Sequence, residues 1–240
     1  MKDGGMIAPV APYASRRRSR AGFTLVEILV VIAIMALLAG FAFAVLKPVS
    51  RPQYLNTARA ELEQIATALE NYQGKFGAYP PGNPLVPPEI NTLYYELSGT
   101  RHDAKAASYT TLDGSCTISE ADYGNAFRVG ATGIGGIVNS TKGGGEDAAA
   151  AKNFLSGMTS SRFGTALAEN SVPITNLITS VKGPDANYLP LGPGAPGVNP
   201  FRYVYPGIKN PKGYDLWIDL CIHGRTNRLS HGTSQVQILN

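Results

Sequence analysis

The hydropathy pattern divides the chain near residue 47. From Ile28 to Leu46, nineteen residues follow one another without a charged side chain. A helix needs about 20 apolar residues to cross the hydrocarbon core of a bilayer. The stretch therefore predicts a membrane-spanning helix, which we place in residues 23–47, and it argues against a purely soluble cytosolic protein.

A second helix is predicted directly after this stretch, over residues 48–76, as an amphipathic continuation. Pro48 and Pro52 break or kink a helix, and Ser50 with Gln53 three residues later has the spacing of a capping box. The predicted helix has one apolar face, which could pack against a coiled-coil partner. Three heptads followed by a globular region favour docking on that region's own sheet instead. The apolar face comprises Leu55, Ala58, Leu62, Ile65, Leu69, Tyr72 and Phe76, whereas Arg59, Glu61, Glu63 and Glu70 lie elsewhere on the helix.

The end of the chain has the alternation of β-strands. Residues 201–205 predict one strand, Pro206 and Gly207 a turn, and residues 214–222 a second strand with Asp215 and Asp219 on its polar face. A further turn is predicted at residues 223–227 and a last short strand at residues 235–239. A long helix followed by a small antiparallel sheet is an α+β architecture.

Residues 77–240, which we call the head, also contain a loop-rich insertion at about residues 97–200. Seven glycines between Gly130 and Gly145 predict a long loop, and four prolines in residues 187–200 predict an extended connector. Four consecutive alanines within residues 146–155 predict a short helix between these two segments.

The formal net charge of +4 is concentrated at the N-terminus. Residues 1–22 carry five basic side chains and one acidic side chain, so the rest of the chain is formally neutral. A neutral body lacks the basic surface of a nucleic-acid-binding protein, and no nucleic-acid partner is expected. The arginines precede the apolar run, so the positive-inside rule predicts a cytoplasmic N-terminus and a head on the other side of the membrane.

The junction between the basic and apolar segments reads Arg-Ala-Gly-Phe-Thr-Leu-Val-Glu from Arg20 to Glu27. It resembles the signature of type IV prepilins, which type IV pilins and type II secretion pseudopilins share. The resemblance implies that a membrane peptidase removes the leader, residues 1–22, by cleaving between Gly22 and Phe23. It also implies that Phe23 is then methylated and that the apolar helix stays on the mature protein.

A second local match lies after the amphipathic helix, where residues 71–81 resemble the helix exit of major pseudopilins of type II secretion. The resemblance implies a structural subunit of a filament, in the inner membrane with its head in the periplasm or outside the cell. The implied partners are identical or related pilin-like subunits, the prepilin peptidase, an inner-membrane assembly platform and membrane lipid. A membrane-tethered binding module, or a type IV pilin for adhesion or DNA uptake, is the alternative.

Glu27 is an ionisable residue within the apolar segment, a position that is costly and usually has a partner or a function. No other side chain from Phe23 to Leu46 offers it a charged partner. The family resemblance implies that Glu27 pairs with the new α-amino group on Phe23 of a neighbouring subunit, and the alternative is that it reaches water at the membrane edge. Small residues at Ala36, Gly40 and Ala44 are spaced by four, as in closely packed membrane helices.

Cys116 and Cys221 are the two cysteines of the chain. They either form a disulfide on the exported side or serve as small apolar side chains, and the sequence leaves both open.

Neither a catalytic nor a metal-binding motif is present in the sequence. Asp219, Cys221 and His223 would share one face of a strand, which is typical of solvent-facing residues more often than of a catalytic site. Major pseudopilins bind calcium after the motif found here at residues 214–217, but this chain has no carboxylate after Asp219. We therefore predict no enzyme, metal site or cofactor.

Overall fold

The computed structural model describes residues 23–45, 51–129, 136–142, 150–168, 170–184, 189 and 197–239. The chain divides into two compact units, Met1–Pro48 and Val49–Asn240. The first unit contains helix α1, Leu25–Val45. Within the described part of the chain, no helix has both the length and the apolarity of a membrane span.

The second unit begins with helix α2, Arg51–Phe76, whose apolar face packs against the C-terminal sheet. This sheet contains strands β7 (Arg202–Val204), β8 (Asp215–Ile222), β9 (Arg225–Ser230) and β10 (Gln237–Leu239), in the antiparallel order β10-β9-β8-β7. The predicted docking of the helix on its own sheet is confirmed. The buried core side chains include Ala58, Leu62, Ile65, Leu69 and Tyr72 of α2 and Leu216, Ile218, Leu220 and Ile222 of β8.

Strands β8 and β9 form a hairpin with a two-residue turn, His223 and Gly224, between the paired residues Ile222 and Arg225. Both turn residues have positive φ, 50° and 75°, as a tight hairpin turn of this length requires. The predicted turn at residues 223–227 is therefore shorter than expected, because Arg225 already pairs with β8. His223 lies in the turn and does not continue the face of Asp219 and Cys221.

The middle of the head is more regular than the predicted loop-rich insertion. Its elements are α3 (Leu93–Ser98), β1 (Thr100–Asp103), β2 (Ser108–Thr111), β3 (Thr117–Ser119), α4 (Glu120–Phe127), β4 (Ser140–Lys142), a 3₁₀ turn (Ser160–Arg162), β5 (Phe163–Leu167) and β6 (Pro173–Leu177). The first four strands form a sheet in the order β3-β2-β1-β4, in which β4 is parallel to β1. Strands β5 and β6 form a separate antiparallel hairpin.

The predicted helix at residues 146–155 is wrong over its described part, residues 150–155, which is not helical. Its backbone amides bond to distant groups instead of to carbonyls one turn earlier. Lys152 N donates to Asn139 Oδ1 at 2.9 Å, and Phe154 N donates to the carbonyl of Leu97 at 2.7 Å. Residues 130–135, 143–149 and most of 187–200 lie outside the described residues. The α+β class is confirmed.

Candidate processing and assembly segment

Helix α1 begins with a capping box formed by Thr24 and Glu27. The Thr24 Oγ1 atom accepts a hydrogen bond from Glu27 N at 3.2 Å. In return, Thr24 N and Thr24 Oγ1 each donate to Glu27 Oε2 at 3.0 Å. This is the reciprocal arrangement that satisfies amides at the start of a helix. Glu27 therefore has a local partner, which the sequence analysis did not find.

Phe23 and Thr24 precede the helix, which starts at Leu25. The side chain of Phe23 is 79% exposed. Gly22, on the other side of the predicted cleavage bond, lies outside the described residues. The structure thus shows a non-helical backbone on the described side of that bond.

The described side chains of α1, from Leu25 to Gly40, are all exposed, although nearly all of them are apolar. Ala36 is among them, and a Cβ atom at Gly40 would meet no other group within 4 Å. The side chain of Ala44 lies outside the described ones. A helix that is apolar all round normally packs against lipid or other helices. The proposed packing role of these small residues stays a prediction.

Glu61 on α2 is a charged group that the structure places in the interior, contrary to the prediction that it lies off the apolar face. Its carboxylate forms an ion pair with Arg162 and accepts hydrogen bonds from Thr179 Oγ1 and Ser180 Oγ. Burial lowers the pKa of the Arg162 guanidinium to about 10. This polar cluster joins α2 to segments more than a hundred residues further along the chain.

Hydroxyl groups of tyrosines bind the end of α2 and the segment that follows it, within residues 71–81, to the rest of the head. Tyr79 Oη donates to both carboxylate oxygens of Glu70, at 3.1 and 3.0 Å, and Tyr214 Oη donates to Glu70 Oε1 at 3.2 Å. Tyr203 Oη donates to the carbonyl of Pro80 at 2.7 Å. The tyrosines of the exit segment and of the C-terminal sheet therefore fix the end of α2 on the head.

Asp219 is buried on the face predicted to be polar, because two arginines surround it. Arg228 Nε and Nη2 donate to its two carboxylate oxygens at 2.7 and 2.8 Å, and Arg202 Nε lies 3.7 Å from Oδ2. The hydrogen bonds to Asp219 raise the pKa of Arg228. Among the described residues, no group of three or more histidine, cysteine or acidic side chains could hold a metal ion.

The two cysteines are free thiols in the structure, so the disulfide considered from the sequence is not formed. Cys116 precedes β3 in the first sheet, where its Sγ lies 3.4 Å from Thr175 Oγ1. Cys221 lies on β8 in the C-terminal sheet. Cys116 thus lies just outside the first sheet, whereas Cys221 lies within the C-terminal sheet.

The three histidines do not form a common site. His102 pairs with Glu120, and its ring packs against Tyr109 at a tilted angle, with ring centroids 4.9 Å apart. His231 lies 3.6 Å from Glu63 and stacks on Tyr214, whereas His223 lies in the β8-β9 turn. Among the described residues, none of the three histidines hydrogen-bonds to a hydroxyl or thiol group, as the base of a serine or cysteine nucleophile would.

Comparison with known proteins finds one matching family model and a curated relative. The family described as the prokaryotic N-terminal methylation motif matches residues 17–43. Type II secretion system core protein G of Pseudomonas aeruginosa is 40% identical over 67 residues, which is 27% of this chain and 46% of that protein. The chain thus spans about half the length of this curated relative. No solved structure matches this chain significantly.

The Thr-x-x-Glu spacing that starts α1 was visible in the sequence, although only its family resemblance was used there. It is the general signal of a capping box and would have identified Thr24. The matched residues 17–43 include Gly22, Phe23 and Glu27, all of which the sequence analysis selected. Residues 17–43 therefore carry a prokaryotic N-terminal methylation motif, and 67 residues of the chain are similar to a type II secretion system core protein.

Proposed function

We propose that this chain is a structural subunit of a type IV pilus-like filament of the kind that type II secretion systems build. The observation that carries the proposal is an N-terminal methylation motif that continues into helix α1, whose described side chains are exposed and, apart from Glu27, lack a charge. Such a helix requires lipid or other helices around it. A filament subunit has both environments in turn, first the membrane and then the filament core.

The membrane anchor in this proposal is the apolar run from Ile28 to Leu46. Its nineteen residues suit the hydrocarbon thickness of a bilayer. The arginines before it favour a cytoplasmic N-terminus. The head is then exported, which places the protein in the inner membrane before assembly.

Assembly in this proposal uses Glu27 together with the free α-amino group that cleavage creates on Phe23. Both hydrogen bonds from Thr24 go to Oε2, so Oε1 of Glu27 is available to a second donor. A carboxylate and an ammonium group attract strongly where water is excluded. The Phe23 ammonium of a neighbouring subunit is therefore the partner we assign to Glu27. The small residues Ala36, Gly40 and Ala44 would allow close approach of the helices.

The head has a supporting role in this proposal, and no catalytic step is assigned to it. Its partners are other pilin-like subunits, while the prepilin peptidase and an inner-membrane assembly platform act on the N-terminal segment. The tight attachment of α2 through Glu61 and Glu70 supports a head that moves as one body with this helix.

The test is the N-terminal mass of the full chain, extracted from membranes with and without a prepilin peptidase. We expect a mature chain that begins at methylated Phe23 only when the peptidase is present. Gly22→Ala should block this processing and serves as the matched control. An intact N-terminus in both samples, or cleavage beyond Leu46, would contradict the proposal.

A further inference from the structure

We propose that Thr24 positions the bond between Gly22 and Phe23 for cleavage, because its side chain fixes the first residue of α1. The inference rests on the proposed function, since it concerns the same processing step. Thr24 is assigned as a positioning residue that acts through the backbone of Phe23. No contact between Thr24 and the reacting atoms is required.

The capping box determines where the helix begins. Thr24 Oγ1 accepts a hydrogen bond from the amide of Glu27. Glu27 Oε2 accepts hydrogen bonds from both the amide and the hydroxyl group of Thr24. These bonds satisfy groups that otherwise lack a partner in the first turn. They start the helix at Leu25 and leave Phe23 outside it.

Loss of this cap would move the start of the helix towards the N-terminus. Phe23 has no side-chain hydrogen-bond acceptor, and the nearest residues that helix caps favour are Gly22 and Ser19. A helix that starts after either of them includes Phe23. With Ser19 as the cap, the bond between Gly22 and Phe23 would lie inside the first turn.

The chemistry of cleavage requires access to this bond. The oxygen of a water molecule joins the carbonyl carbon of Gly22, the C–N bond breaks, and the nitrogen of Phe23 takes up a proton as it leaves. In a helix, the carbonyl of Gly22 would accept the amide hydrogen of Val26, four residues on. A peptidase would then have to unwind that turn first, so only the non-helical fraction of the protein could bind productively.

The experiment compares the cleavage rates of full-length variants in detergent micelles by a purified prepilin peptidase. Thr24→Val keeps the shape of threonine but removes the capping oxygen, whereas Thr24→Ser and Thr24→Asn retain good caps. We expect kcat/KM to fall roughly fivefold for Thr24→Val, with kcat unchanged, because loss of a cap shifts such an equilibrium by about this factor. Thr24→Ser and Thr24→Asn should be cleaved at least as fast as the natural protein. Thr57→Val, at an exposed threonine of α2, is the matched control.

A second measurement separates positioning from direct recognition. Backbone NMR shifts in the same micelles should show Phe23 as helical in Thr24→Val and non-helical in the other proteins. Equal cleavage of Thr24→Val and the natural protein would overturn the proposal while leaving the proposed function intact. Slower cleavage without helical Phe23, or slow cleavage of Thr24→Asn, would also overturn it, because the peptidase would then recognise threonine itself. Absence of cleavage after Gly22 in the natural protein would instead contradict both the role of Thr24 and the proposed function.

Discussion

The hydroxyl group of Tyr72 on α2 donates a hydrogen bond of 2.9 Å to Oε2 of Glu96 on α3. Both side chains are buried. Glu96 also accepts the amides of Val138 and Asn139, each at 2.9 Å. One buried carboxyl group thus connects α2, α3 and the segment that leads into β4.

We expect Tyr72→Phe to lower the free energy of unfolding by about 1–3 kcal/mol, because it removes one of three donors to a buried carboxyl group. Urea titration of the detergent-solubilised protein, followed by the fluorescence of its single tryptophan, Trp217, measures this change. Tyr54→Phe is the matched control, since Tyr54 lies on the same helix, is only partly buried and has no hydroxyl hydrogen bond to a described residue. Equal losses in the two variants would contradict the assigned role.

The same carboxyl group should make stability depend on pH. Burial raises the pKa of Glu96, and its hydrogen bonds offset part of this effect. A carboxyl whose folded pKa lies above its unfolded value stabilises the fold at low pH, and this contribution disappears as the pH rises through the folded pKa. The free energy of unfolding of the natural protein should therefore fall, relative to that of Glu96→Gln, as the pH rises above about 4.3, the ordinary pKa of glutamate. Parallel pH profiles for the two proteins would refute this prediction, and Glu63→Gln, at an exposed position, provides the control.

Glu61→Ala should be more damaging than Tyr72→Phe. It leaves the guanidinium of Arg162 buried without its carboxylate, and breaking a buried pair in this way costs about 3–5 kcal/mol. The double variant Glu61→Leu with Arg162→Met should recover much of this loss, because it removes both charges together. The free energies of unfolding of Glu61→Ala and of the double variant test this prediction. A double variant less stable than Glu61→Ala would show that the charged pair itself is required.

Glu27→Ala should leave cleavage after Gly22 intact and impair filament assembly. The acceptor of the helix cap, Thr24 Oγ1, remains in this variant, whereas the carboxylate assigned to the neighbouring Phe23 is lost. Glu27→Gln keeps an acceptor for Thr24 but removes the charge, so it should also assemble poorly if the charge is what matters. Electron microscopy of filaments, combined with the N-terminal mass, gives both results. Normal filaments from Glu27→Ala would remove the role we assign to Glu27.

The N-terminal methylation motif, helix α2 and the C-terminal strands were accessible from sequence because their signals are local. The period of apolar residues placed α2 at residues 48–76, and the helix is Arg51–Phe76. Alternation placed the buried face of β8 correctly. Gly22, Phe23 and Glu27 were found from a motif of eight consecutive residues, within the segment that the methylation family matches.

The tertiary structure decided what depends on partners distant in sequence. Glu61 and Asp219 were assigned to polar faces, but arginines 101 and nine residues away neutralise them and allow their burial. The alanine-rich residues before Leu155 favour a helix, yet in the described part Asn139 and Leu97 bind the backbone and override this preference. By itself, the sequence determined the N-terminal motif, α2 and the C-terminal sheet, because periodicity and short spacings act within a few turns or strands. Only the tertiary structure decided which charged groups are buried, because the cost of burying a charge depends on whether the fold brings its partner into contact.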